Sequence, residues 1–289
     1  MKFVSTRGGV PATDIRTAVE SGLAPDGGLY VPDKFPHFEV KDFKKTHELS
    51  DVATTLLTPF FGKSVAPLCK NTFTFPIPLA KTPRANDFIL ELYHGPTGAF
   101  KDVGAKFLAE VMRSRPSTVM VATSGDTGGA VAAAFAGQPG FDVVVLYPKG
   151  KISARQESQI AGWGQNVRAV AVEGSFDDCQ RLVKEALLTY KSDKPFLSAN
   201  SINLGRILPQ MVYYAHAALS KPGINFIIPS GNLGNSLACI WAKEMGLPIG
   251  DITLSFNANP SVVRYLKTGV YNPVDTVTTL ANAMDVGNP

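Results

Sequence analysis

The 289-residue sequence lacks the features that mark several classes of protein. Its three cysteines, Cys69, Cys179 and Cys239, are far apart and form no CxxC pair, which favours buried, reduced thiols over a disulfide framework. No run of about 18 apolar residues occurs, so no membrane span is expected. The first residues lack the apolar stretch of a secretion signal, and no N-x-[ST] sequon occurs. These absences together predict a cytoplasmic protein.

Signals for metals, nucleotides and nucleic acids are also missing. The four histidines show no metal-binding spacing such as HExxH, so we predict no metal. No GK[ST] follows a glycine-rich loop, and no G-x-G-x-x-G opens a helix, which argues against Walker-type and nicotinamide sites. The net charge of +4 is mild, and the densest basic stretches, Lys41 to Lys45 and Lys149 to Arg155, are short. We predict a small anionic ligand and no nucleic-acid partner.

The sequence does contain a regular alternation of strand-like and helix-like segments from Pro76 onward. Buried apolar strands that alternate with amphipathic helices are typical of parallel sheets covered on both faces, so the predicted fold class is α/β. The predicted strands are Phe88 to Tyr93, Val119 to Ala122, Val143 to Leu146, Val167 to Val172, Asn225 to Ile228 and Ile252 to Phe256. The predicted helices are Gly104 to Arg113, Gly129 to Ala136, Ala154 to Ala161, Phe176 to Tyr190, Ile207 to Ser220 and Gly234 to Met245.

Residues 1–75 have a different character and are predicted to form a separate small lobe. Ser21 to Pro32 is rich in turn-forming residues, with Pro25-Asp26-Gly27-Gly28 as its strongest signal. Asp42 to Phe61 alternates polar and apolar residues at helical spacing.

One lysine stands out at the start of a predicted helix. The strand from Phe88 breaks at Gly95-Pro96, and Lys101 follows between Phe100 and Asp102. Most lysines are solvated surface charges. A lysine behind an aromatic ring in a tight loop is instead a candidate for a desolvated amine that acts as nucleophile and base.

Two glycine-rich loops each follow a strand and open a helix. They read TSGDTGGA from Thr123 and PSGNLGN from Pro229. Glycine lets the backbone approach an anion closely, and a helix N-terminus presents free N–H groups. Taken alone, either loop is equally well an ordinary strand-to-helix turn with a polar cap.

The sequence resembles the threonine synthase family, in the tryptophan-synthase-like group of pyridoxal-phosphate enzymes. Five motifs carry the resemblance in order: HGPTGAFKD from His94, the two loops above, SANSIN from Ser198 and NAMDVGNP from Asn282. The resemblance implies two parallel-sheet domains of the tryptophan synthase β-like fold beside a small N-terminal lobe. We expect the lobe at 1–75, a smaller domain with Lys101 and the SGDTG loop at 76–205, and a cofactor-binding domain at 206–289, truncated at its C-terminus.

The resemblance also implies roles for particular residues. Lys101 would be catalytic and form the Schiff base with pyridoxal 5'-phosphate, and Asp126 would face the hydroxyl of the cofactor ring. The cofactor phosphate would be held by Ser230, Gly231, Asn232, Leu233, Gly234 and Asn235. Substrate would be bound by Ser124, Gly125, Thr127, Gly128, Lys151, Arg155, Ser201, Asn203 and Arg206. The partner of the pyridine nitrogen would lie beyond residue 289.

The implied reaction converts O-phospho-L-homoserine and water to L-threonine and phosphate. Two alternatives stay open at this stage. Some relatives release 2-oxobutyrate from the same substrate, and the motifs do not separate these two products. A non-catalytic ligand-binding relative is disfavoured because Lys101 and the PSGNLGN loop are intact. The sequence predicts no particular oligomeric state.

Overall fold

A computed structural model describes residues 1–44, 48–190 and 193–288 of the chain. Residues 45–47, which include Lys45 and part of the helix predicted from Asp42, lie outside the described residues, as do residues 191–192. Pro289, the last residue of the NAMDVGNP motif, also lies outside them.

The N-terminal part of the chain contains an antiparallel strand pair and three α-helices among its described residues. They are β1 (Phe3–Ser5), α1 (Ile15–Ser21), β2 (Tyr30–Pro32), α2 (Leu49–Phe61) and α3 (Val65–Thr72). Strand β1 pairs antiparallel with β2. The predicted turn holds them together, because the Asp26 carboxylate accepts hydrogen bonds from Ser5 Oγ at 2.7 Å and from the Gly9 and Gly28 N–H groups at 2.9 Å.

The middle of the chain builds the main sheet. Its elements are β3 (Leu79–Lys81), β4 (Phe88–Leu90), α4 (Lys101–Met112), β5 (Thr118–Ala122), α5 (Asp126–Phe135), β6 (Asp142–Pro148), α6 (Ala154–Ala161), β7 (Val167–Val172), α7 (Phe176–Thr189) and β8 (Phe196–Ser198). Strands β3 and β4 form an antiparallel hairpin. The other four strands form a parallel sheet in the order β7-β6-β5-β8.

Helices cover both faces of this sheet, as its continuous apolar strands require. On one face, Val119 and Val121 of β5 belong to the main core, which includes α4 and α5. On the other face, Met120 and Ala122 form a second cluster with buried residues of α7 such as Val183. Successive side chains of a strand point to opposite faces of the sheet. Because helices cover both faces, consecutive residues of β5 must be apolar.

The last part of the chain forms a second parallel sheet. Its elements are α8 (Leu204–Ile207), α9 (Met211–Ser220), β9 (Ile224–Pro229), α10 (Gly234–Glu244), β10 (Ile249–Ser255) and α11 (Ser261–Thr268). Strands β9 and β10 pair in parallel. The helix predicted from Ile207 to Ser220 is wrong in its first turn: a 3₁₀ turn at Leu208–Gln210 precedes α9, and Pro209, which has no N–H to donate, lies inside it.

The two parallel sheets confirm the predicted α/β class. The boundaries proposed between the lobe and the two domains stay predictions. Among the described residues, no helix combines the length and apolarity needed to cross a membrane.

Candidate active site

Lys101 is the first residue of α4, and the loop before it is fixed by its neighbour Asp102. The Asp102 carboxylate accepts hydrogen bonds from the Thr97 N–H at 2.9 Å and from Thr97 Oγ1 at 2.7 Å. A side-chain carbon at Gly95 would lie 2.5 Å from Asp102 Oδ2, so this position needs glycine. The loop therefore folds around one buried carboxylate, and this sets where the Lys101 side chain starts.

The Lys101 amine is buried beside a carboxylate. Its residue is 9% exposed, and Nζ lies 3.6 Å from Asp126 Oδ2 and 5.3 Å from the centre of the Phe100 ring. Burial lowers the pKa of the Lys101 amine, Asp126 acts against that change, and Arg206 adds to it. A lysine in this setting is easier to deprotonate than one in water, as a nucleophile and base must be.

Asp126 is held at the head of α5 by the SGDTG loop. Gly125 adopts φ 135°, a conformation that side chains rarely allow. Thr123 Oγ1 accepts hydrogen bonds from the Gly125 N–H at 2.9 Å and the Gly128 N–H at 2.8 Å. Gln156 Nε2 donates to Asp126 Oδ1 at 2.8 Å, which leaves Oδ2 for Lys101.

The N–H groups that the SGDTG loop can still offer differ from residue to residue. Those of Gly125 and Gly128 are already used by Thr123. Those of Ser124, Asp126 and Thr127 have no acceptor in the part of the chain that the structure describes. An anion at this loop would therefore meet the backbone of Ser124 and Thr127 first.

The PSGNLGN loop joins β9 to α10 and leaves its N–H groups exposed to a ligand. The Ser230 N–H donates to the Ser255 carbonyl at 2.8 Å and Ser230 Oγ donates to the Ile228 carbonyl at 2.9 Å. Leu233 then adopts a left-handed conformation, φ 62°, and α10 begins at Gly234 without a side-chain cap. Within the described residues, the N–H groups of residues 231–236 have no acceptor. This is the arrangement that binds a phosphate at a helix N-terminus.

Asn235 has its amide orientation set by two tyrosines. The hydroxyls of Tyr213 and Tyr214 both lie within hydrogen-bond distance of Asn235 Oδ1, the second at 2.9 Å. Burial raises the pKa of both tyrosines well above the ordinary value, so both hydroxyls keep their protons and can donate. The Nδ2 end of the amide is then free to face the helix tip.

A short segment near residue 284 connects the two loops. The backbone of Met284 lies against Gly231, where an added Cβ would be 3.0 Å from the Met284 carbonyl oxygen. Asn282 pairs with Gln156 through its amide, with Asn282 Nδ2 donating to Gln156 Oε1 at 2.8 Å. The segment therefore touches the phosphate-loop side and the Lys101 side of the same site.

The remaining predicted substrate residues have different surroundings. Asn203 is fully buried, and its amide donates to the Val19 and Ser198 carbonyls and accepts from the Gly205 N–H. Lys151 and Arg155 are exposed, and Ser201 is half-buried next to Gly234.

Arg206 is a buried cation with an unused donor. Its residue is 1% exposed, Nη1 donates to the Ala199 carbonyl at 2.8 Å, and Nε has no partner in the described chain. Burial lowers the pKa of the Arg206 guanidinium to about 10, with Asp102 acting in the opposite direction. A buried donor without an acceptor is costly, and an anionic ligand would satisfy it.

Comparison with known proteins identifies the family. Residues 72–289 match the family of pyridoxal-phosphate dependent enzymes, and residues 2–68 match the threonine synthase N terminus. The threonine synthase of Haemophilus influenzae is 42% identical over 288 residues, which cover 94% of this chain and 68% of that protein. The chain belongs to the threonine synthase family.

Solved structures of threonine synthases have the same fold as this chain. The crystal structure of threonine synthase from Escherichia coli matches with a TM-score of 0.92 at 37% identity, covering 100% of this chain and 72% of the other. A threonine synthase from Brucella melitensis, solved with pyridoxal phosphate bound, matches with a TM-score of 0.88 at 38% identity, covering 99% and 67%. The resemblance seen in the motifs, the predicted fold and the predicted cofactor are confirmed.

The residues of this threonine synthase family member fit pyridoxal phosphate. The buried Lys101 amine, whose pKa burial lowers, suits the aldehyde, and the uncapped tip of α10 suits the phosphate. The individual residue assignments to cofactor and substrate stay predictions.

Sequence reasoning missed four side chains of this site. Gln156 is the third helical residue of a capping box that starts at Ser153, a pattern that signals a helix start and nothing about a site. Asn282 lies in a recognised motif, but no role was assigned to it. Tyr213 and Tyr214 gave no signal, because their contact with Asn235 spans more than 20 residues of chain.

Proposed function

We propose that this chain is a threonine synthase that converts O-phospho-L-homoserine and water to L-threonine and phosphate. The observation that carries the proposal is the Lys101 amine, buried at the head of α4 and 3.6 Å from the Asp126 carboxylate. It stands in the motif that threonine synthases share. The sequence favours a cytoplasmic location for this reaction, which cell fractionation would test.

In this proposal Lys101 moves the protons. When bound, pyridoxal phosphate supplies an electron sink for the carbanion at the substrate Cα. The Lys101 amine takes protons from Cα and Cβ and returns protons to Cγ and Cα. Phosphate leaves Cγ, water gives its hydroxyl to Cβ, and the remaining proton of water goes to the released phosphate. Asp126 holds the amine in place between these transfers and stabilises its protonated form by charge.

Two anionic groups of the substrate need partners. We assign the carboxylate to the SGDTG loop, where the unused N–H groups of Ser124 and Thr127 support the assignment most directly. We assign the phosphate to the basic side chains near Lys101, and the unpaired Nε of Arg206 supports that assignment. Both amide hydrogens of Asn203 are donated to carbonyls, which supports a part in holding the SANSIN segment.

The test is a cofactor titration followed by product analysis. The protein mixed with pyridoxal phosphate should give an absorbance band near the visible edge, and Lys101→Ala should abolish it. Lys106→Ala is the matched control, because Lys106 lies on the same helix and donates to Thr74 instead of facing Asp126. A band that survives in Lys101→Ala would refute the lysine assignment.

The product then separates the two reactions that the motifs leave open. Threonine from O-phosphohomoserine supports the proposed function. Release of 2-oxobutyrate would instead identify a phospho-lyase. Absence of any turnover by a protein that shows the absorbance band would contradict both.

A further inference from the structure

The side chain of Gln156 is buried in the site with its amide orientation fixed. Its residue is 9% exposed at the start of α6. The Oε1 atom accepts hydrogen bonds from the Ser153 N–H at 3.0 Å, from Ser153 Oγ at 3.1 Å and from Asn282 Nδ2 at 2.8 Å. Because three donors meet at the oxygen, the NH2 end of the amide faces away from Ser153, and it also donates to Asn282 Oδ1 at 3.2 Å.

The NH2 end of Gln156 reaches the carboxylate that faces Lys101. Gln156 Nε2 lies 2.8 Å from Asp126 Oδ1, while Asp126 Oδ2 lies 3.6 Å from Lys101 Nζ. A side-chain carbon at Gly125 would come within 2.4 Å of the Gln156 amide, so the loop can approach only because residue 125 is glycine. The contact depends on the backbone of the SGDTG loop as well as on the two side chains.

We propose that Gln156 is a positioning residue, which holds the Asp126 carboxylate toward the Lys101 amine. The Asp126 side chain is 29% exposed, so without the Gln156 donor it can turn toward solvent and away from the amine. The inference rests on the proposed roles of Lys101 and Asp126. It adds a residue from α6, 30 positions further along the chain than Asp126, to the machinery of the site.

Three charged groups bear on the Lys101 amine and its surroundings. Asp126 faces it from α5, Arg206 acts on it from α8, and Asp102 on its own helix interacts with Arg206. Gln156 contacts Asp126 among these three. A change at Gln156 should therefore alter the Lys101 pKa through Asp126, which also acts by charge on Asp102.

Two neutral substitutions at Gln156 should lower the pKa of Lys101. Gln156→Met keeps the length of the side chain and Gln156→Leu shortens it, and both remove the NH2 donor to Asp126. Without that donor Asp126 can turn away from the amine, and the contribution by which Asp126 raises the pKa of Lys101 is reduced. A role in the helix cap alone predicts the same decrease when the cap is removed at Ser153 instead.

The pKa can be measured without the cofactor reaction. Competitive acetylation of the cofactor-free protein over a range of pH, with the Lys101 peptide quantified by mass spectrometry, reports the free-amine fraction directly. Ser153→Ala is the matched control, because it removes the hydroxyl of the capping box and leaves the Gln156 NH2 donor in place. Circular dichroism checks that each variant is folded, and the two Gln156 variants test the proposal independently of each other.

A lower Lys101 pKa in both Gln156 variants, with little change in Ser153→Ala, would support the positioning role. An equal decrease in Ser153→Ala, or no change in either Gln156 variant, would overturn it. Failure of the proposed function gives a different result, namely no absorbance band when the unmodified protein is mixed with pyridoxal phosphate.

Discussion

Two strand-to-helix loops of this chain have nearly the same sequence and different hydrogen bonding. Ser124-Gly-Asp-Thr-Gly128 follows β5, and Ser230-Gly-Asn-Leu-Gly234 follows β9. In the first loop, the N–H groups of both glycines, Gly125 and Gly128, donate to the Thr123 hydroxyl. In the second, the N–H groups from Gly231 onward have no acceptor within the described residues.

The residue before each loop explains the difference. Thr123 precedes the first loop, and its hydroxyl accepts the N–H groups of Gly125 and Gly128. Pro229 precedes the second loop and has no side-chain acceptor. The first, closed loop is thus held by Thr123 through two of its N–H groups and presents a carboxylate to Lys101, while the N–H groups of Ser124 and Thr127 are left unused within the described residues. The second loop stays open and presents donors to an anion.

The two loops also differ in the charge of their third residue. The third loop residue is Asp126 on the closed side, next to an amine, and Asn232 on the open side, where a phosphate would lie. A carboxylate at position 232 would repel that phosphate. A neutral amide at position 126 would leave the amine without its counter-charge.

Exchanging the third residues should have the largest effect. Asp126→Asn should lower kcat/KM by about 100-fold, since it removes the group that orients and stabilises the protonated amine. It should also move the acidic limb of the pH profile to lower pH, because Asp126 raises the pKa of Lys101 and its charge is lost. Steady-state kinetics between pH 6 and 9 would measure both effects.

Asn232→Asp provides the reverse exchange. It should weaken pyridoxal phosphate binding by about tenfold through like-charge repulsion, while kcat at saturating cofactor stays near the unmodified value. Equal losses of kcat in the two variants would contradict the distinction between a carboxylate side and a phosphate side.

The local parts of this site could be predicted from sequence, and the contacts between distant segments could not. Helix α6 and strand β7 have the predicted bounds, because a Ser cap marks the helix and a valine-rich run, interrupted only by Arg168, marks the strand. Lys101 and both glycine-rich loops can also be recognised from sequence patterns about ten residues long. By contrast, periodicity predicted one helix from Ile207 to Ser220, which Pro209 interrupts. The short α8 before Pro209 has too few residues to show a helical period.

The Gln156–Asp126 contact illustrates what sequence leaves out. Gln156 completes a capping box and Asp126 is an acidic residue in the first turn of α5, so each residue has a local explanation at a helix start. That the two helix starts meet depends on the parallel order of β5, β6 and β7, which brings the loops to one edge of the sheet. A role that depends on a contact between distant segments can be identified only from the three-dimensional structure.

Opening the closed loop should cost stability. Thr123→Val removes the hydroxyl and leaves the Gly125 and Gly128 N–H groups buried without an acceptor, so the free energy of unfolding should fall by about 2–4 kcal/mol. Thr123→Ser keeps the hydroxyl and loses one methyl group, so it should cost about 1 kcal/mol. Urea denaturation of the cofactor-free protein would measure both. Equal losses in the two variants would show that the hydroxyl does not close the loop.

Removing one hydrogen bond to Asn235 in the open loop should have a smaller effect, on the affinity for the cofactor. Tyr214→Phe removes one of the two hydroxyls that orient Asn235, and a hydrogen bond of this kind contributes about 0.5–1.5 kcal/mol. We therefore expect the Kd for pyridoxal phosphate to rise by about two- to tenfold. Tyr147→Phe is the matched control, because it removes a buried hydroxyl that donates to Glu157 at 2.8 Å on the other side of the site. An absorbance titration in which both variants bind the cofactor as tightly as the unmodified protein would show that the free N–H groups of the α10 tip hold the phosphate without help from Asn235.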